Sequence, residues 1–204
     1  MEGTAANQYA VDEANCCFYQ GIFLAEADFY RQAIEQFERA EALAPDYPGI
    51  RLRLAQAQLK LRDFTNALAG ALEVLGTEPQ SPDALLVKGL ALFQTAQYRE
   101  AIPPLTELLA LQSSNQTARL YRAQSRWRLN ELEDARQDYE VVVRATPDAY
   151  PAYFALADIA YRKKDTPAAV RNCELYLGCA PPDLQETRAV KERLKELQQT
   201  QNRP

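Results

Sequence analysis

The stretch "LAPDYPGIRLRLAQAQL", residues 43–59, ends one helical pattern at the proline pair Pro45 and Pro48 and at once begins another. Proline inside a helix removes a backbone hydrogen bond and clashes with the preceding turn, whereas at a helix's first position it costs little. The pair is therefore either a domain edge or a joint. Pro45, Pro79, Pro147 and Pro181 stand 34, 68 and 34 residues apart, with Ser113 in the vacant place. Alanine keeps the same spacing at Ala33, Ala67, Ala101, Ala135 and Ala169, and a small residue does so at Gly21, Ala55, Gly89, Ala123 and Ala157. Three markers in one register make the pair a joint that recurs.

Between markers each unit holds two apolar-periodic stretches of about a dozen residues, such as "AQAQLKLRDF" leading to "TNALAGALEVLG", with almost no strand signal. Each unit reads as a helix-turn-helix. A small residue on one helix and an alanine on the next let two backbones approach, as an antiparallel pair with a short connection requires. The spacing specifies packing rather than chemistry.

A 34-residue helix pair with this order of small residue, alanine, large apolar residue and proline resembles the tetratricopeptide repeat (TPR). Gly21, Leu24, Ala33, Phe37, Ala40 and Pro45 carry the resemblance in residues 14–47, and Leu54, Ala55, Ala67, Ala71, Val74 and Pro79 in 48–81. Residues 82–115 supply Gly89, Leu92, Ala101, Leu105 and Leu108, and 116–149 supply Ala123, Ala135, Tyr139, Val142 and Pro147. Leu156, Ala157, Ala169, Cys173, Tyr176 and Pro181 complete it in 150–183. The resemblance implies an all-α, right-handed α-solenoid of five TPR units behind a polar N-terminal extension, residues 1–13. The family's early tryptophan is replaced by Cys17, Arg51, Leu85, Arg119 and Tyr153. Pro103 and Pro104 inside a second helix predict a distorted first turn there, either a neutral quirk or a bend in the superhelix.

Residues 184–204 read as a capping helix and tail. Asp183 and Glu186 form a plausible capping box, and Val190, Leu194 and Leu197 an apolar stripe that would cover the last repeat. The tail is expected to fray after Gln198.

The net charge of −5 argues against general attraction to phosphate backbones, so nucleic acid is an unlikely partner. No apolar run reaches the roughly 18 residues of a membrane span, and the opening segment is polar, so a soluble, cytoplasmic chain is expected. A signal or anchor trimmed from a parent would instead place it in the periplasm or at the envelope. The four cysteines match no zinc spacing and histidine is absent, so no metal and no cofactor is expected. Cys16, Cys17, Cys173 and Cys179 read as reduced, small hydrophobes. Without histidine or a glycine-rich phosphate loop no catalytic constellation forms, and Asp134, Asp138 and Glu140 read as a solvated helix face. The chain is expected to do no chemistry.

In the resembling family the first helix of each unit lines a concave groove, and the 34-residue ruler finds its rows here. One row is Phe18, Leu52, Leu86, Leu120 and Phe154; the next is Ile22, Gln56, Leu90, Gln124 and Asp158. A third is Ala25, Leu59, Phe93, Trp127 and Tyr161, with Glu26, Lys60, Gln94, Arg128 and Arg162 beside it. The large residues either pack against neighbouring repeats or recognise a partner. Phe93, Trp127 and Tyr161 with Gln124, Arg128 and Arg162 have the aromatic and arginine composition of a recognition surface. Arg119, Arg122, Arg126 and Arg128, followed by Arg162, Lys163 and Lys164, make a local basic reversal. Arg122 and Arg126 either reach carboxylates on the second helix or form a site for an acidic peptide.

The family's carboxylate clamp for chaperone tails is excluded, because Phe18 and Ile22 occupy its lysine and asparagine places. The expectation is a non-catalytic scaffold binding a protein or peptide. Two alternatives are an assembly factor for secretion, pilus or envelope machinery and a regulatory arm of, or beside, an enzyme such as a transferase. Self-association through residues 1–13 of a neighbour would also suit an aromatic groove.

Overall fold

The computed structural model describes the backbone of residues 2–201 and the side chains of residues 9–199. The described residues form helices and no strand: α1 (Glu2–Glu26), α2 (Tyr30–Leu43), α3 (Ile50–Lys60), α4 (Phe64–Thr77), α5 (Pro82–Gln94) and α6 (Tyr98–Leu111), then α7 (Gln116–Arg128), α8 (Leu132–Ala145), α9 (Tyr150–Arg162), α10 (Thr166–Cys179) and α11 (Gln185–Gln201). They gather into two compact units, Met1–Ser113 holding α1 to α6 and Ser114–Pro204 holding α7 to α11.

The turn inside each helix pair repeats to the residue. Asp28, Arg62, Ala96, Asn130 and Lys164 have φ of 63°, 68°, 60°, 62° and 58°. Each donates its N–H to the carbonyl three residues back, and the following residue donates to the carbonyl five back, at 2.9 Å in every case. This pair of bonds is the Schellman motif, which satisfies the last carbonyls of a helix. The following residues, Phe29, Asp63, Gln97, Glu131 and Asp165, are also the N-caps of the second helices. Only Asp63 and Asp165 accept from the new helix with a side chain, from the N–H of Asn66 at 3.4 Å and of Ala168 at 3.1 Å. No glycine occupies the left-handed position, although that conformation costs an L-residue about 1–2 kcal/mol.

The alanine row lies wholly inside the paired helices, Ala33, Ala67, Ala101, Ala135 and Ala169 all being 0% exposed. The small-residue row shows why size matters. A Cβ on Gly21 would sit 2.6 Å from Phe37 Cε1, and one on Gly89 2.5 Å from Leu105 Cδ2. The second unit builds its core on Tyr139, Tyr153, Ile159, Cys173 and Tyr176, with α11 closing over it through Val190. Burial pushes the Tyr139 hydroxyl far above its usual range and the Cys173 thiol upward. Cys17 is buried too, whereas its neighbour Cys16 is exposed, and all four cysteines are free.

Three expectations are corrected. Residues 2–13, read as a polar extension, continue α1, and Glu13 forms an ion pair with Arg39 of α2. The first turn of α6 is regular, because the helix begins at Tyr98 and runs unbroken through Pro103 and Pro104, which fall in its second turn. The prolines bring no N–H to the carbonyls of Arg99 and Glu100, yet packing holds the helix, with Pro104 buried. At α11 the Asp183 capping box does not form, since the helix begins at Gln185. Thr187 anchors that start instead: it is 2% exposed, lies 3.2 Å from the Tyr176 hydroxyl and donates to the Pro181 carbonyl at 2.8 Å. Val190, Leu194 and Leu197 do face the last helix pair. The helix continues to Gln201, past the expected fraying at Gln198; residues 202–204 lie outside the described residues.

Two substitutions separate turn from packing. Ala96→Gly relieves a left-handed alanine and should raise stability by about 0.5–1 kcal/mol, net of glycine's unfolded-chain entropy. Gly89→Ala should lower it by about 1–3 kcal/mol through overpacking against Leu105. Urea unfolding of the two variants against the parent reads both.

Candidate functional site

Side chains of α7 and α9 that fall on the 34-residue ruler meet in the second unit. Trp127 Nε1–H donates to Asp158 Oδ2 at 2.9 Å. Its ring stands edge-on to Phe154, with centroids 6.3 Å apart at 88°, and the Arg128 guanidinium lies 5.4 Å from its centroid. Phe154 leans in turn on Tyr176 at 5.8 Å. Asp158 is 18% exposed at its side chain and holds Arg162 Nε at 2.8 Å. It also holds Arg193 Nη1 at 3.7 Å. Arg193 comes from α11, outside the 34-residue ruler, and stacks 4.4 Å over the Tyr161 ring, which is 45% exposed. Arg162 donates further to Asn130 Oδ1 at 3.2 Å. Three guanidiniums thus gather about one carboxylate and the two aromatic rings beside it. Such a surface can hold carboxylates by paired N–H donors and apolar side chains against the rings.

The neighbouring arginines of α7 are occupied. Arg122 grips Asp138 of α8 through Nε at 2.9 Å and Nη2 at 2.6 Å, and Arg126 reaches the same carboxylate at 2.7 Å. Arg119 Nη1 lies 3.6 Å away. Asp138 is 4% exposed, so its reading as part of a solvated face is corrected. It occupies the buried side of α8 beside Ala135 and Tyr139, where arginines facing inward demand an acid. Of the two readings of Arg122 and Arg126, the ion pair with the second helix is the one that the geometry shows. The surface reading stands for Asp134, which is exposed; Glu140 is half-buried and accepts from Arg136 Nη1 at 2.7 Å.

Elsewhere the rows divide between packing and exposure. Phe18 packs among Phe37 and Tyr47, with centroids 6.0 and 5.2 Å away, and Ile22, Leu59 and Leu120 join the cores of their units. Phe93 stacks on Tyr98 at 5.4 Å. Leu86, Leu90 and Gln124 are half-buried, as is Gln56, which accepts from Arg53 at 3.3 Å; Lys60 and Gln94 are exposed. Leu52 lines a small cleft with Pro45, Tyr47 and Glu73.

A cleft of the second unit lies away from these rows, between α8 and α10 over α9, with a volume of about 840 Å³. Its floor is Tyr153, Leu156 and Ile159, and its rim carries Arg136, Arg144, Lys163 and Arg171 together with Glu140 and Asp165. Arg136 first and Lys163 second hold the carboxyl of the neighbouring Glu133 down to about 2. Nothing in the 34-residue rows pointed there, because the rows follow the first helices. Among the described residues no group of three or more histidine, cysteine or acidic side chains is placed to hold a metal.

Tetratricopeptide repeat models match residues 24–90, 86–150 and 122–183. The chain belongs to the tetratricopeptide repeat family. Among solved TPR structures, YrrB, described as a TPR protein with an unusual peptide-binding site, is 15% identical, with 92% of this chain and 97% of that one covered and a TM-score of 0.76. MamA is 18% identical over 83% of this chain and 96% of its own, with a TM-score of 0.71. A thermophilic TPR protein of Thermus thermophilus, TTC0263, is 20% identical over 90% and 98%, with a TM-score of 0.58. At these identities the likeness shows the fold, the helical-repeat solenoid of TPR proteins.

Removing the acid between the α7 arginines tests its weight. Asp138→Asn leaves guanidiniums that are 13–21% exposed without their carboxylate and should cost about 3–5 kcal/mol. Thermal or urea unfolding of the variant measures this.

Proposed function

We propose that this chain is a non-catalytic scaffold that holds a peptide or partner protein on the face formed by the first helices of its repeats. The observation that carries the reading is the Trp127–Asp158 junction. The 2.9 Å bond fixes the indole between Phe154 and Arg128, so an aromatic anchor is already ordered before a partner arrives. Family membership supports a protein or peptide as ligand, and YrrB's description as having a peptide-binding site supports a peptide.

The chemistry around the anchor favours an acidic segment. Arg162 and Arg193 share one carboxylate, Asp158, beside the exposed Tyr161 ring, and Arg128 lies over the Trp127 ring, so three guanidiniums stand against one acid. In unit 1, Leu86, Leu90, Phe93 and Gln94 on α5 offer a more neutral, apolar lining to the same class of ligand. Phe18 and Ile22 are core-packed apolar side chains that cannot pair a carboxylate, which speaks against the chaperone-tail clamp.

Affinity capture with mass spectrometry, followed by titration of the captured partner, tests the reading. Trp127→Ala should weaken the partner by about 2 kcal/mol, roughly thirtyfold, and Phe93→Ala by less. Unchanged affinity for Trp127→Ala, with melting intact, would remove the anchor from the site.

A further inference from the structure

The free face of α1 is built as a helix-docking seam. Tyr9, Asp12, Cys16, Tyr19 and Phe23 follow the three-four spacing of a coiled-coil contact line. The large residues on it are open: Tyr9 is 75% exposed, Tyr19 62% and Phe23 70%. The opposite face, with Ala14, Cys17 and Gly21, is buried in the unit. Isolated exposed aromatics need no explanation, but a row of them at contact spacing marks an interaction surface. The helix is also one-signed, with Glu2, Asp12, Glu13 and Glu26 and no lysine or arginine. Two copies of α1 would repel each other along the seam. The complement is a basic surface with an apolar floor.

The chain carries one. The α8–α10 cleft sets Arg136, Arg144, Lys163 and Arg171 with two acids, Glu140 and Asp165, around an apolar floor, with Leu175, 43% exposed, at its edge. Arg136 and Lys163 are taken up by Glu133 and Glu140, so the positive excess rests on Arg144 and Arg171. Arg144 is 74% exposed and reaches Glu140 only at 3.6 Å. Arg171 is exposed and forms no ion pair among the described residues. From Asp165 to Leu175 the α10 wall runs about 15 Å, and the seam from Tyr9 to Phe23 about 21 Å, so most of three helical turns fit against it.

We infer that the α8–α10 cleft receives α1 of a second copy of this chain. The surfaces differ, so the contact is heterologous: each copy offers one seam and one cleft, and copies join into strings or rings rather than closed two-fold dimers. Charge sets the pairing and its salt sensitivity, and the aromatic seam supplies the buried area. The cleft and the seam share no residue with the Trp127 face.

Analytical ultracentrifugation of the full chain tests it. The average mass should rise with concentration at low salt and fall back at about 0.5 M salt. Tyr9→Ser with Phe23→Ser, and separately Arg144→Glu with Arg171→Glu, change exposed side chains only, and each double variant alone should stay monomeric with unaltered melting. Mixed, the two should form a one-to-one pair, since each retains the half that the other lacks. A labelled synthetic peptide of residues 2–26 should bind the full-length seam variant and lose roughly tenfold or more in affinity on the charge-reversed one. Trp127→Ala should associate as the parent does. A parent chain that is monomeric throughout, a charge-reversed variant that still assembles, a mixture that does not pair, or association lost with Trp127→Ala would each overturn the assignment.

Discussion

The left-handed residue between the helices of each pair is the constraint on which the rest depends. It reverses the chain in two residues, and the residue after it closes one helix and opens the next. With the reversal that tight, the helices must touch from their first turn, so the alanine row has no room for a larger side chain. Where the first helix offers glycine, the partner's Phe37 or Leu105 fills the space down to the backbone. Turn and contact determine each other, and the 34-residue ruler is the length at which both recur.

Two acids on neighbouring helices show how similar chemistry takes different parts. Asp138 is enclosed by Arg122 and Arg126 and serves packing: its lone pairs are used up inside the unit. Asp158 is more open, and besides arginines it holds an indole N–H. That third kind of partner orients a ring, and an oriented ring at a surface is more useful for recognition than a free charge. The difference lies in depth: α8 turns Asp138 toward Tyr139 and the core, whereas α9 turns Asp158 toward α7 and α11.

Much of the fold was legible because tight packing admits few residue types. Alanine at five equal steps, and prolines two residues past the ends of α2, α4, α8 and α10, are steric requirements visible in any sequence that meets them. The turns themselves were not legible: aspartate, arginine, alanine, asparagine and lysine share no local preference strong enough to announce a left-handed residue. The site was half legible. Trp127, Phe154, Asp158, Tyr161 and Arg162 fall on the ruler, and the structure brings them together. Arg193 lies on α11, beyond the last period, and no spacing argument reaches it. Asp138 was misplaced because an isolated carboxylate on a helix reads as surface until the arginines facing it are located. Pro103 and Pro104 were placed one turn too early, since helix starts carry the weakest signal when the N-cap is a glutamine.

A left-handed position held by residues other than glycine has a consequence for how the units open and close. The turn is unfavourable by itself, so a single helix pair taken alone would relax it and splay. Only the neighbouring pair, by burying the outer faces of both helices, makes the strained reversal stable. Amide protons in such a unit are then released together, in openings that involve several neighbouring pairs at once, rather than pair by pair from the ends.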